Sequence, residues 1–151
     1  MNILFAGTPK SSANILQSLI NDDDFNIVGV LTQPDKKGKR GNQLLESEVS
    51  VLAKQHDIPL YKPIDLKKDS ILNQIKLIKA DYLIVIAYGK ILPDWLIDIP
   101  KICSINVHFS LLPKYRGASP IQSALLNGDK KTGITYMKIS SELDAGDIFS
   151  S

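Results

Sequence analysis

Two residues near the middle of the chain, Asn106 and His108, are of types and at a spacing that could act together on one small molecule. They sit at the end of a mostly apolar run, residues 102–107. On an extended strand, side chains two positions apart share a face, roughly 6.5 Å apart along the chain. The amide and the imidazole therefore converge, while Val107 points the other way. Leu111, Leu112 and Pro113 then break the strand, so the pair stands where a strand hands over to a loop, the usual ligand position in open α/β sheets. The plainer alternative is a strand-end histidine that bonds to nearby backbone. Asp144, on a Gly-flanked turn, supplies a carboxylate that can fold back beside the pair. Together the three suit acyl transfer: an amide N–H and an imidazolium stabilise an oxyanion, and a carboxylate next to the histidine keeps it charged and oriented. Neither Ser110, which lies outside any GxSxG turn, nor Cys103, expected to face the core, reads as a nucleophile. Direct attack by a substrate amine is the better hypothesis.

The elements that must hold these groups follow from hydrophobic pattern. Residues 2–7 form a continuous apolar run ended by Gly7, as in a buried parallel strand. Ala13, Leu16, Leu19 and Ile20 recur at helical spacing, with the acidic Asp22, Asp23 and Asp24 in the turn beyond. Residues 25–31 make a second strand, completing a βαβ unit that opens a doubly wound sheet. After Gly7 the later glycines of a GxGxxG turn are missing, so pyrophosphate binding is unsupported. A helix is expected over 46–55 with Val49, Leu52 and Ala53 inward, and His56 at its end reads as a cap rather than as chemistry. A short strand over 58–61, a helix over 70–78 and a central strand over 81–87 follow. Residues 88–93 leave that strand as an apolar loop suited to a flat heterocycle, or as ordinary packing around Trp95. Ser119 and Pro120 read as cap and first turn of a helix through Leu126. A strand over 132–139 alternates Ile134, Tyr136 and Lys138 against Thr135, Met137 and Ile139, and a last strand begins at Ile148.

Bulk properties bound the partners. With 151 residues and 44% hydrophobic content the chain suits one domain, burying about two-thirds of its unfolded surface. Its 18 Lys and Arg stand against 16 Asp and Glu, so any nucleic-acid contact must be local. One place qualifies: residues 33–43 contain no aliphatic or aromatic side chain, and Lys36, Lys37, Lys39 and Arg40 concentrate positive charge there. An exposed loop is expected, either phosphate-attracting or simply a solvated linker. One cysteine and two separated histidines make no zinc-type cluster, and no metal is expected. No apolar run approaches the ~20 residues of a membrane span, so a cytoplasmic protein without membrane contact is expected.

Several motifs carry a family resemblance. Asn106-Val107-His108-Phe109-Ser110-Leu111-Leu112-Pro113, Phe5-Ala6-Gly7-Thr8-Pro9, Thr32-Gln33-Pro34-Asp35, Ala87-Tyr88-Gly89, Arg116 to Gln122 and Leu143-Asp144-Ala145-Gly146-Asp147 resemble the methionyl-tRNA formyltransferases along the whole chain. The Asn-x-His and SLLP pieces belong to the wider folate-dependent formyltransferases, whereas the AGTP start and TQPD with its basic loop point to the tRNA enzymes. The resemblance implies an α/β formyltransferase fold of Rossmann type, with a mixed, mainly parallel sheet flanked by helices. It implies 10-formyltetrahydrofolate as cosubstrate, no metal, and Asn106, His108 and Asp144 in the catalytic places. The cosubstrate would meet Ile86, Ala87, Tyr88, Gly89, Ile91 and Leu92, together with Ser110, Leu111, Leu112 and Pro113. Lys36, Lys37, Lys39 and Arg40 would meet the acceptor stem of initiator methionyl-tRNA, whose methionine amine receives the formyl group in support of translation initiation. Another folate-dependent formyltransferase or hydrolase, or a catalytically silent fragment, remains the alternative. Two departures follow: Phe109 stands where the family is often small, which is expected to tighten the pocket beside His108. Family members also run to about twice this length, with an OB-like C-terminal domain that grips tRNA and a monomeric state. Residues 1–151 are therefore expected to be a catalytic domain incomplete at its C-terminus and reduced in stability or reliant on a partner.

Overall fold

The computed structural model describes residues 1–38, 44–68, 70–140 and 142–151. Strand β1 (Asn2–Gly7) is the axis of the sheet, with Leu4, Phe5 and Ala6 fully buried. It lies parallel to β2 (Asn26–Leu31) on one side and β6 (Tyr82–Ile86) on the other. Parallel pairing requires crossovers, and α1 (Lys10–Ile20) supplies the first, burying Ser12, Ala13 and Leu16. Gly7 lets this helix sit close: a Cβ there would come within 2.7 Å of the Phe5 ring and 2.8 Å of Ser12. Asp22 and Asp24 lie beyond the helix, the Asp22 carboxylate accepting the Asp24 N–H at 3.0 Å.

Among the described residues a seven-stranded sheet runs β5-β2-β1-β6-β7-β8-β9, with β5 (Leu60–Tyr61), β7 (Cys103–His108), β8 (Thr135–Lys138) and β9 (Ile148–Ser150). Pairing is parallel from β5 to β7 and antiparallel from β7 to β9. The mixed, mainly parallel architecture expected from the sequence is the one found. Because strand side chains alternate, the two faces carry separate cores. Leu4, Ala6, Leu83 and Val85 pack with Leu72, Ile75 and Leu96 from α3 (Leu72–Lys76) and α4 (Asp94–Ile97). Phe5, Val30, Ile86 and Val107 pack with Leu16, Val49, Leu52 and Ala53 from α1 and α2 (Glu48–Gln55).

Boundaries shift where a side chain prefers the backbone outside an element. Helix α2 begins at Glu48 because Ser47 caps it, its Oγ accepting the Ser50 N–H at 3.1 Å. Glu46 stays outside and pairs with Lys54 and Lys62, the Lys54 hydrogen bond foremost in holding its carboxyl below the usual range. Pro120 opens α5 (Pro120–Leu126) as expected, but Ser119 makes no side-chain cap. The loop expected at 33–43 is partly a ribbon: β3 (Lys36–Lys37) pairs antiparallel with β4 (Leu44–Leu45). Leu44 and Leu45 remain exposed, so backbone pairing rather than burial forms this ribbon, and a hydrophobic pattern cannot reveal it. Two further expectations are corrected. Cys103 is only half-buried and outside both cores. Phe109 packs with the α1 and α2 side, on the face opposite His108, because it is one residue out of phase with it; it does not narrow the His108 side.

Candidate active site

Asn106 and His108 leave the carboxyl end of β7 from a well-held position. Asn106 is paired with Val85 on one side and Met137 on the other, and His108 with Thr135. Val107, pointing away, is 5% exposed in the core, which sets the direction of its neighbours. His108 is 6% exposed.

The loop beyond the strand is folded by two buried hydroxyls. Thr135 Oγ1 donates to the Ser110 carbonyl at 2.7 Å and accepts the Leu112 N–H at 3.1 Å. Ser110 Oγ donates to the Lys114 carbonyl at 2.6 Å. Ser110 is fully buried with its hydroxyl so engaged, and this commits it to structure rather than nucleophilic attack. The loop then returns the Tyr115 carbonyl to His108 Nε2 at 2.9 Å, while the Tyr115 hydroxyl donates to Asp129 at 2.8 Å. The backbone contact foreseen as the plain alternative for His108 is therefore present. It uses only one ring nitrogen, and since a carbonyl can only accept, Nε2 carries the proton there.

The other nitrogen faces Asp144. His108 Nδ1 lies 3.8 Å from Asp144 Oδ2. The same oxygen accepts the Gly117 N–H at 2.6 Å, and Oδ1 accepts from Asn106 Nδ2 at 3.4 Å. One carboxylate, its side chain 8% exposed, thus touches all three parts of the site. Its turn is tight: Asp144 has φ 48°, and a Cβ on Gly146 would run into the Lys138 carbonyl oxygen. The Lys138 N–H donating to the Asp147 carbonyl at 2.9 Å closes the turn against β8.

The loop after β6 leaves the same edge of the sheet. Ile86 and Tyr88 point into the cores, Leu92 packs partly against one, and Ala87, Gly89 and Ile91 face outward, Ile91 at 91% exposure. In the second cosubstrate segment Ser110 is inside, Leu112 half-buried, and Leu111 and Pro113 exposed. Lys36 and Lys37 are exposed on the ribbon; Lys39 and Arg40 lie outside the described residues. Sequence reasoning missed Thr135, Gly117 and the Tyr115 carbonyl as parts of the site. Only Thr135 left a signal, a polar residue on the inward side of an alternating strand.

The formyl transferase family matches this chain over residues 1–151. The chain belongs to that family. Membership places it in a family of folate-dependent formyl transfer, and the Asn106, His108 and Asp144 cluster is the candidate centre for such chemistry. Similar solved structures include a phosphoribosylglycinamide formyltransferase from Bacillus halodurans, at 20% identity and TM-score 0.76, covering 99% of this chain and 77% of that one. A formyltetrahydrofolate deformylase from Pseudomonas syringae has 26% identity and TM-score 0.71, covering 99% of this chain and 49% of that one. A 4-N formyltransferase from Francisella tularensis has 19% identity and TM-score 0.64, covering 97% and 53%. Among the described residues no helix is long and apolar enough to cross a membrane.

Proposed function

We propose that this chain carries the centre that transfers a formyl group from 10-formyltetrahydrofolate to the methionine amine of initiator methionyl-tRNA. The observation that carries the reading is Asp144, whose carboxylate meets His108, Asn106 and the Gly117 N–H at once. The folate supplies the formyl group. Asn106 and His108 stabilise the formyl oxygen as negative charge develops on it under attack by the amine, and Asp144 holds His108 and assists removal of the proton the amine sheds. The bond between the formyl carbon and the folate nitrogen then breaks, and that nitrogen leaves as the free amine carrying the proton. Outward-facing Ala87, Gly89 and Ile91, with Leu111, offer exposed backbone and apolar surface of the kind a flat heterocycle requires. Lys36 and Lys37 on the exposed ribbon, with Lys39 and Arg40 following in sequence, would meet the acceptor stem.

A second reading has its own support: the similar structures named above are formyltransferases on a phosphoribosylglycinamide or a 4-N position, and a deformylase. Such an enzyme would use the same three residues without needing the basic ribbon. Formyl transfer measured with charged initiator tRNA, with phosphoribosylglycinamide, and with no acceptor separates them. Product on the tRNA alone is expected. Formate release without acceptor, or product only on the small amine, would replace the tRNA reading.

A further inference from the structure

The chemistry above gives no role to two of the sequence motifs, Gly7-Thr8-Pro9 after β1 and Thr32-Gln33-Pro34 after β2. In the structure both end on the same atom. Thr8 Oγ1 donates to the Tyr88 carbonyl oxygen at 2.9 Å, and Gln33 Nε2 donates to it at 3.0 Å. Two donors use both lone pairs of that oxygen, so the peptide between Tyr88 and Gly89 is pinned from two directions. The pinned segment is not relaxed. Ala87 has φ 46° and Gly89 φ 82°, both left-handed, a conformation that ordinary residues adopt at a cost and that surrounding contacts must impose. Gly89 is also where the approach is closest, because a Cβ there would collide with Gln33 Nε2. From below, the Tyr88 ring is 1% exposed within the core, so the residue cannot swing outward.

Position adds meaning to this clamp. The chain leaves β1 toward β2 on one side and returns to β6 on the other, which makes the gap between β1 and β6 the point where the order of the strands reverses. Ligands of open α/β sheets bind outside the carboxyl ends of the strands at that point. Thr8 and the loop of Tyr88 are the residues that leave these two strands there.

We propose that Thr8 and Gln33 are positioning residues for the cosubstrate, acting through the Tyr88 carbonyl to present the outward backbone of Ala87 and Gly89. The inference rests on the reading of residues 86–92 as the cosubstrate loop and adds to it the two groups that shape that loop. Both side chains are half-buried at the surface, outside the cores and outside the Asn106, His108 and Asp144 cluster. Removing either donor should therefore spare the fold and the chemical step while loosening the loop.

The test is tetrahydrofolate binding by calorimetry to the full chain and to Thr8→Val, Gln33→Met and Thr8→Ser, with thermal melting of each. Loss of one hydrogen bond predicts a Kd raised about three- to tenfold in Thr8→Val and Gln33→Met. Thr8→Ser keeps the donor and is expected to bind as the unaltered chain does. The double variant should lose less than the product of the single losses, because both donors serve one oxygen. In turnover assays the effect belongs in KM for the folate, with kcat little changed. Gln33→Glu, which keeps the side-chain length but replaces the donor amide with an acceptor, should raise Kd as Gln33→Met does, and it serves in its place if that variant melts early. Equal binding by all variants overturns the clamp and leaves the cosubstrate reading standing. Failure of the unaltered chain to bind tetrahydrofolate overturns both.

Discussion

The parallel half of the sheet and its antiparallel edge contribute differently to one site. Strands β1, β2, β6 and β7 have helices on their faces and fully buried residues such as Phe5, Val30 and Leu83, and the direction of Asn106 and His108 follows from that packing. At the edge, Tyr136, Ile148 and Phe149 are roughly half exposed, and every residue of β9 is exposed. Yet the carboxylate comes from this edge, on the turn between β8 and β9. Its placement depends on a few local contacts: the Gly117 N–H, the Asn106 amide and the close passage of Gly146 over Lys138. The two strand residues are thus set by the pairing of β7 on both sides and the burial of Val107 between them, and the third by the hydrogen bonds of a turn, so the two parts should respond differently to substitution.

The largest effect is expected at the join. Asp144→Asn keeps the shape and an acceptor for Gly117 but removes the charge beside His108, and turnover should fall by about 100-fold or more with folate binding nearly unchanged. Turnover within a few-fold of the original would take Asp144 out of the chemistry. Next, Leu83→Ala in the fully buried half should cost about 2–5 kcal/mol in denaturant unfolding. A cost below about 1 kcal/mol would mean that the parallel half is no better packed than the edge.

A smaller effect should appear at alkaline pH. Burial pushes the Tyr88 phenol from 10.0 up to about 12, and its hydroxyl has no hydrogen-bond partner among the described residues. Between those two values the unfolded chain releases the proton and the folded chain keeps it. Stability should therefore fall as pH rises through that window, by up to about 3 kcal/mol. Tyr88→Phe should flatten the slope and, by removing an unpaired buried hydroxyl, cost little at neutral pH. An unaltered slope in that variant would assign the alkaline loss to other groups. Smallest is Phe149→Ser at the edge, expected within about 0.5 kcal/mol. A loss comparable with that of Leu83→Ala would show that the edge carries packing of its own.

Much of the parallel half was legible because continuous apolar runs bounded by Gly7 and by the acidic turn after Ile20 have few other readings. Less legible were the elements that burial does not drive. The ribbon of Lys36–Lys37 with Leu44–Leu45 is made by backbone pairing between exposed residues. Ser47 moved the start of α2 by spending its hydroxyl on the Ser50 N–H. Phe109 was placed near His108 by its position in the chain, although strand alternation sends it to the other core.

Which residues are candidates for the chemistry follows from the amino-acid sequence alone. Strand geometry puts Asn106 and His108 on one face whatever surrounds them, and no serine or cysteine beside them reads as a nucleophile. Tertiary structure was needed to show that Asp144 reaches them from 36 residues beyond His108 along the chain, that His108 divides its two nitrogens between the Tyr115 carbonyl and that carboxylate, and that Thr8 and Gln33 meet at Tyr88. The reason is that alternation and periodicity are local, whereas a hydrogen bond between distant segments depends on how the strands are ordered in the sheet.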